Sequence, residues 1–556
     1  MKAATVLYKV KILNEAIVLE NGQRFQQTAI IEKWKNNHQL SSRKFGAPEV
    51  ADIYEKIANH EEINLDTCYL KDFSLASYRK LNGLPESAPV TLQSFSADHA
   101  FFDSTYGTDF SYSSFEGKSP NFAYATFDQG KVNFGHCRCQ SSMNFNRAEF
   151  HIEELSFRFA DLEGADLRFS SCLLDCEQIL FVNTNFGEGK VSFRQTDFEF
   201  SNVNFQYASF HKAELSFDKA IFHGEQIDFR KVEFGEGKTE FRRVQFGDGN
   251  VSFNESSFQK AKINFRNARF GKGYNTFEKV DFGPNLVQFD GIVCQDGYLS
   301  FKGSSCQTIS FVDARLYSHC DFRIQKGKLL DFSHSIFKDI LDFQAGEEEV
   351  DLKTLKIEGV KNLGKIFISW EDNNVYDLLT SQKASSLISK AKQFNLLKVS
   401  YNSNGEYTSE DKAYVAFKLF EMKHNYVKAS RKGFFSKLKG SFNYAFQWLV
   451  FYKAGLFATA PLRVFISMIV VITFFALLYL VMPFFVHAEL LSSVGGSDGL
   501  TEVEKSFYHS AITFFTIGYG DFYPSGHSRW VSAVEGWAGV FLMSYFTVAF
   551  VRKILR

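Results

Sequence analysis

Phenylalanine recurs along the middle of this chain at spacings that alternate strictly between five and seven residues. The series runs from Phe181, Phe186, Phe193, Phe198 and Phe205 without a break to Phe289. Neither a helical period nor simple strand alternation produces such spacing. Two positions before most of these rings stands a small or branched residue, as at Ala208, Ala220, Val232, Val244, Val251, Ala268 and Val280. Residues two apart on an extended strand share a face, so both are expected to point inward. Gly187-Glu188-Gly189, Gly235-Glu236-Gly237 and Gly247-Asp248-Gly249 follow a Phe in seven-residue steps, and their glycines are expected to supply positive φ at corners.

The hydrophobic pattern divides the chain further. Residues 1–94 read as a mixed N-terminal cap, 95–345 as the repeat, and 346–440 as a C-terminal cap and helical linker, with a closing strand at 365–370 and two helices between about 374 and 427. Residues 441–461 read as an interfacial helix, in which Trp448, Phe451, Tyr452 and Phe457 mix with Lys453. Residues 462–486 carry a single charge, Arg463, and are long enough to span a hydrocarbon core of about 30 Å. A second span is expected within 530–556, interrupted in its apolar part only by Glu535. The segment 487–529 between them holds an apolar-aromatic helix, 507–515, too short to cross. Lys423, Lys428, Arg431, Lys432, Lys437, Lys439, Lys453 and Arg463 precede or open the first span, with no acid from 422 to 488. Arg552, Lys553 and Arg556 follow the second, whereas the intervening loop carries Glu489, Asp498, Glu502, Glu504 and Asp521 against Lys505 and Arg529. Both termini are therefore expected in the cytoplasm of a multi-pass cell-membrane protein, with the basic cluster against anionic lipid of the inner leaflet.

Composition narrows the function. The 556 residues carry 62 Lys+Arg against 63 Asp+Glu, so no basic excess points to a nucleic-acid partner. With 64 Phe the chain is too aromatic for disorder. Residues 1–19 hold Lys2, Lys9, Lys11 and Glu15 and lack the apolar run of a secretory signal. The eight Cys all precede residue 321 and are expected to be reduced. Cys139, Cys294 and Cys306 fall in phase with the Phe ladder, and Cys137-x-Cys139 and Cys172-x3-Cys176 lack a second pair at zinc spacing, so burial explains them better than a metal. No cofactor is expected, and no nucleophile–base or metal constellation suggests an enzyme.

The Phe alternation resembles the pentapeptide-repeat family, which implies a right-handed quadrilateral parallel β-helix for the cytoplasmic part. This sequence departs from the plain five-residue repeat in its seven-residue sides, so the four-sided coil that the resemblance implies closes as two sides of five and two of seven, 24 residues in all. About ten coils would rise roughly 4.8 Å each, giving a rod of about 50 Å. Phe193, Phe217, Phe241, Phe265 and Phe289 are then expected in one vertical stack, with three more around the axis. Some soluble relatives imitate DNA with an acidic rod, but this rod mixes Lys and Arg with its acids. Thr516-Ile517-Gly518-Tyr519-Gly520-Asp521, lying between a short helix and a second span, is similar to the selectivity filter of two-span pore-loop potassium channels. That resemblance implies an α-helical channel domain assembled as a homotetramer, with K⁺ as the permeant ion, Gly518 and Gly520 letting successive carbonyls face the axis and replace the ion's water, and the Thr516 hydroxyl adding an innermost oxygen ring. It also places Gly539 at a hinge, with packing against a neighbouring helix as the equal alternative. Val540, Met543 and Thr547 then face the cavity, and Val551 and Leu555 the cytoplasmic mouth. Glu535 either braces the filter or reaches the interface. Some relatives carry Glu four residues before the filter Thr; Ile512 stands there, so their slow filter closure is not implied. Tyr523 is expected to offer a ring of four aromatic faces to external blockers, and His487, His509 and His527 to be solvated loop residues, with a pH-sensitive outer face as the alternative.

Neither span has the repeated cations of a voltage sensor. Only five residues follow Val551, so control by the β-helix is expected to enter through the interfacial helix and the first span. The competing reading is a weakly selective cation channel whose β-helix docks an unknown partner or ligand and does not gate.

Overall fold

The computed structural model describes residues 6–345, 350–493 and 499–555; Lys2, Asp498 and Arg556 lie outside them. The chain forms two compact units, residues 1–383 and 384–556.

The first unit is a β-solenoid of about 11 turns. Its strands are mostly two or three residues long and pair in parallel with the strand 24 residues on, as in Val203↔Ile227 and Ile227↔Val251. The Phe rings fill the axis. Phe193, Phe217, Phe241, Phe265 and Phe289 stack with centroids 4.6–5.2 Å apart. A second column, Phe205, Phe229, Phe253, Phe277 and Phe301, stacks at 4.7–5.0 Å. The two columns meet edge to face across the axis, as for Phe217 and Phe229 at 5.8 Å and 83°. Each ring thus gains both favourable aromatic geometries, worth about 0.5–1.5 kcal/mol per pair beyond burial. Columns beginning at Phe186 and Phe198 complete the four. The residues two before each Phe, Ala208 to Val280, are buried as expected.

The corners divide the glycines into two jobs. Gly187, Gly235 and Gly247 have φ of 59°, 64° and 57°, as expected of the corner residues. Gly189, Gly237 and Gly249 do not; instead a Cβ there would sit 1.8, 1.9 and 2.2 Å from a carbonyl oxygen of the coil before. They are glycine for room. Many corners use no glycine: where Gly291 and Gly303 stand two past a Phe with φ of 67° and 70°, Asn183, Gln195, Tyr207, Lys219, Lys231, Arg243, Glu255, Asn267 and Lys279 hold φ of 53–63° at the same place in earlier coils. That conformation costs about 1–2 kcal/mol per residue. The cost is offset where the corner amide donates to a carbonyl of the next coil, as Asn183 does to Gln206 at 3.0 Å.

Parallel pairing runs from Glu62–Asn64 to Lys365–Phe367, wider than the Phe-patterned stretch 95–345. Backbone ladders need no Phe, so Leu, Ile and Cys serve at the ends. All eight Cys are buried and free, and burial raises the thiols of Cys68, Cys172, Cys306 and Cys320 to about 12. Helices α1 (Val50–Ala58), α2 (Leu75–Leu81) and α3 (Val375–Thr380) lie near the ends of the repeat in sequence. An antiparallel sheet of Leu7–Leu13, Thr28–Lys35 and His38–Gly46 docks on the solenoid side. Tyr8 Oη and Lys33 Nζ both donate to Glu149 Oε2, at 2.9 and 2.5 Å, while His151 lies 3.5 Å from Glu149 and 3.4 Å from Asp175. The hydrogen bond to His151, helped by Lys33 and Tyr8, outweighs burial and holds the Glu149 carboxyl down at about 2. Burial disfavours charged His151, but Asp175 and Glu149 overcome it and raise the imidazole to about 9.

Two outcomes follow for the full chain. Phe241→Ala should lower stability of the solenoid by about 3–5 kcal/mol in chemical denaturation, and Gly237→Ala should disrupt the coil because its Cβ meets the Ala213 carbonyl. Docking of the N-terminal sheet should be strongest between the ordinary Glu and His values, about 4.5 and 6.5. It should weaken as pH rises through about 9, where His151 loses its proton, and as pH falls toward about 2, where Glu149 gains one. Hydrogen exchange of Leu7–Leu13, corrected for intrinsic rates, measures this; His151→Gln should abolish the alkaline loss.

Candidate functional site

The second unit is helical. Helix α4 (Leu387–Asn404) and α5 (Tyr407–Ser430) form a hairpin turned at Gly405, whose φ is 78°. Helix α6 (Phe434–Phe446) continues into a π-helical turn, Gln447–Lys453. Helices α7 (Pro461–Val481) and α9 (Ser528–Ile554) are long and apolar enough to cross a membrane, and α8 (Glu502–Phe514) lies between them in sequence. Helix α8 starts five residues before the apolar run that predicts it. Thr501 and Glu504 form a capping box there, satisfying two amides that the apolar pattern alone ignores.

Residues 516–521 leave the end of α8 as an extended, exposed path. Its sharp exit is a chain of local bonds: the Thr516 amide donates to Thr513 and the Ile517 amide to Ile512, at 3.0 and 2.8 Å. Thr516, Gly518 and Gly520 have φ of 56°, 61° and 79°, alternating with Ile517 and Tyr519 outside that region. Left-handed residues at every second position turn successive carbonyls toward one side, which normal strand geometry does not do. Nothing would lie within 4 Å of a Cβ at Gly518 or Gly520, so those glycines answer to conformation, not crowding.

The outer end of this path is tied on two sides. Tyr508 of α8 donates to Asp521 Oδ2 at 2.7 Å, and the Phe522 amide to Oδ1 at 3.0 Å. Ser493 donates its hydroxyl to the Gly520 carbonyl at 2.8 Å and its amide to that of Asp521 at 2.8 Å. Ser493 stands at the end of the strand Ala488–Ser492, which pairs antiparallel with Phe522–Gly526. Tyr523 lies on the latter strand, opposite Leu491, with its side chain partly exposed. His487 and His527 are joined through the His487 carbonyl, which accepts the His527 amide at 2.9 Å.

Behind α8 lies a buried polar network. Glu535 of α9 is fully buried; Oε2 accepts from Tyr479 of α7 at 2.7 Å, and Oε1 lies against Ser510 of α8. Ser532 contacts Tyr479 at 2.9 Å and His509 at 3.0 Å. His509 is therefore not a solvated loop residue: it lies within α8, inside the 507–515 run itself, is buried, and packs on Tyr479 at 5.0 Å. One carboxylate joins all three helices.

Helix α9 runs unbroken through Gly539, where a Cβ would meet the Phe514 carbonyl at 1.9 Å. Close packing on α8 explains that glycine. Val540, Thr547, Val551 and Leu555 are exposed in the single chain, together with Ser544, while Met543 turns partly into the core with Val464, Met468 and Tyr545. Tyr545 missed notice in the sequence because its partners are 87 and 94 residues away: its hydroxyl accepts the Ala458 amide at 2.7 Å and donates to the Phe451 carbonyl at 3.0 Å. It holds three successive left-handed residues, Leu456, Phe457 and Ala458, at the entry to α7. The last turn of α9 is ion-paired to α5: Arg552 lies 3.0 Å from Asp411 and 3.4 Å from Glu410, and Lys553 lies 2.8 Å from Asp411.

Among the described residues no group of His, Cys, Asp and Glu is arranged to hold a metal. Residues 466–556 match the family model described as "Ion channel". A curated relative, Protein LctB of Bacillus caldotenax, is 34% identical over 67 residues, 12% of this chain. The match spans about half the length of that relative. The C-terminal part of the second unit is thus an ion-channel family domain.

Glu535→Ala should leave the Tyr479 hydroxyl without its buried acceptor and destabilise the helical unit by about 1–3 kcal/mol, read by thermal unfolding in detergent. Glu535→Gln, which keeps an acceptor oxygen, should lose less.

Proposed function

We propose that this protein is the subunit of a potassium-selective channel, with four copies arranged around residues 516–521. The observation that carries this reading is the alternation of left-handed and ordinary backbone at Thr516, Gly518 and Gly520, on an exposed path leaving the C-terminal end of a short helix between two candidate spans. Carbonyls aimed to one side by such a path replace the hydration shell of K⁺ when four strands face one another. One chain supplies one strand, so closed fourfold symmetry completes the site. The C-terminal end of α8 carries partial negative charge and favours a cation beneath the path. Tyr508 and Ser493 hold the outer end, and Glu535 braces α8 from behind. Val540, Thr547 and Ser544 line the cavity, with Val551 and Leu555 at the mouth. Met543 contributes at the edge, and Gly539 is a packing contact first and a hinge only if α9 bends there.

The same reading places the interfacial segment 441–461, which begins in α6 and runs through the π-helical turn, along the inner leaflet together with the rest of α6, both termini in the cytoplasm, and K⁺ as the permeant ion. Phe434, Phe435, Leu438 and Phe442 are exposed on α6 beside Lys437 and Lys439, which suits an anionic lipid surface. The β-solenoid then acts on the pore as a regulatory or docking body.

In planar bilayers with K⁺ on one side and Na⁺ on the other, the reconstituted full chain should reverse near the K⁺ equilibrium potential. A reversal near zero would favour a weakly selective pore. Gly518→Ala should abolish K⁺ current, because an L side chain strains the φ of 61°. Tyr523→Val should weaken external tetraethylammonium block at least tenfold through loss of cation–π contacts; unchanged block would remove Tyr523 from the outer site.

A further inference from the structure

The inner end of α9 is gripped from behind. Residues 551 and 555 are four apart and share one helix face, and in the single chain Leu555 is 80% exposed. Lys553, two positions from Val551, projects about 200° around the helix, toward the opposite side. There Asp411 accepts both Lys553 Nζ at 2.8 Å and Arg552 at 3.0 Å, and Arg552 also reaches Glu410 at 3.4 Å. The Arg552 guanidinium lies over the ring of Tyr414 at 4.5 Å. Glu410 and Asp411 are 2% and 7% exposed and sit in the first turns of α5, where the helix dipole favours acids. Arg552 and Lys553 end α9, where it favours bases. Two oppositely charged helix ends meet where the acids are buried and the bases reach in from the surface, Arg552 at 21% and Lys553 at 45% side-chain exposure, so water screens the acids less than it would a surface pair.

We infer that Glu410, Asp411, Arg552 and Lys553 form a clasp through which the α4–α5 hairpin positions the cytoplasmic mouth of the pore directly, without passing through the first span. This rests on the channel reading above. The clasp holds the face of α9 opposite Val551 and Leu555, so it opposes convergence of those apolar residues around the axis. Releasing it lets four exposed Leu555 side chains bury against one another, and the mouth narrows. The acids act through the position of α9 and do not touch the ion.

The test uses the full chain reconstituted in bilayers under symmetrical K⁺. Asp411→Asn and Lys553→Gln should each lower open probability at least fivefold, while unitary K⁺/Na⁺ selectivity stays unchanged. The exchanged pair Asp411→Lys with Lys553→Asp should recover at least half of the wild-type value, which a merely damaged fold would not. Unaltered open probability, a rise, or a loss that the exchange fails to recover would each overturn the inference. Hydrogen exchange of residues 546–555 supplies a readout independent of current: Asp411→Asn should accelerate it, and unaltered exchange would dismiss the clasp. If the wild-type chain carries no K⁺ current, the channel reading fails while the exchange result still judges the contact.

Discussion

A buried polar group without a partner costs several times what a satisfied one contributes, and the penalty is largest where no water reaches. Both units of this protein are organised around meeting that constraint. In the solenoid, coil-to-coil amide bonds do so, with Phe columns excluding water from the axis. In the helical unit the decisive case is Glu535, which has no solvent exposure and finds hydroxyl partners on α7 and α8. Because those partners belong to different helices, satisfying one carboxylate fixes the relative placement of three elements.

The path at 516–521 depends on that placement. Its residues have few contacts of their own in the single chain, and their conformation is imposed at the ends: by α8 and its C-terminal bonds on one side, by Tyr508 and Ser493 on the other. A path held at its ends engages its outer carbonyls, those of Gly520 and Asp521, with Ser493 and needs no such tie along its middle. Tyr545 works in the same way at the entry to α7, giving its hydroxyl to a strained bend that would otherwise leave an amide and a carbonyl without partners in an apolar surrounding. The contact between α5 and the end of α9 adds charge to this scheme, joining helices whose ends carry complementary partial charges.

Much of this was legible in the chain. The five-and-seven Phe spacing specifies the coil length and the four columns because a ring can be buried only where the backbone brings it to the axis. The Gly-Tyr-Gly stretch between two apolar segments specifies where left-handed backbone is required. The supporting residues were not legible. Ser493, Tyr508 and Ser510 are ordinary polar residues whose partners are decided by folding, and His509 looked solvated because Tyr479 and Ser532, which cover it, come from helices distant in sequence. The corners at Lys219, Arg243 and Glu255 gave no signal either. Their left-handed backbone is enforced by the stacked coil on each side, and no local preference of Lys, Arg or Glu announces it.

The sequence by itself thus determined the period of the solenoid, the two apolar spans and the chemistry available at residues 516–521, since each follows from side-chain size, hydrophobicity or the freedom of glycine at fixed spacing. Only the tertiary structure decided that Gly539 makes room for the Phe514 carbonyl, that Glu535 binds three helices together, and that Arg552 and Lys553 close on Glu410 and Asp411. Those contacts join residues 25 to 142 positions apart, and no local pattern records which distant groups a fold will bring within hydrogen-bonding reach.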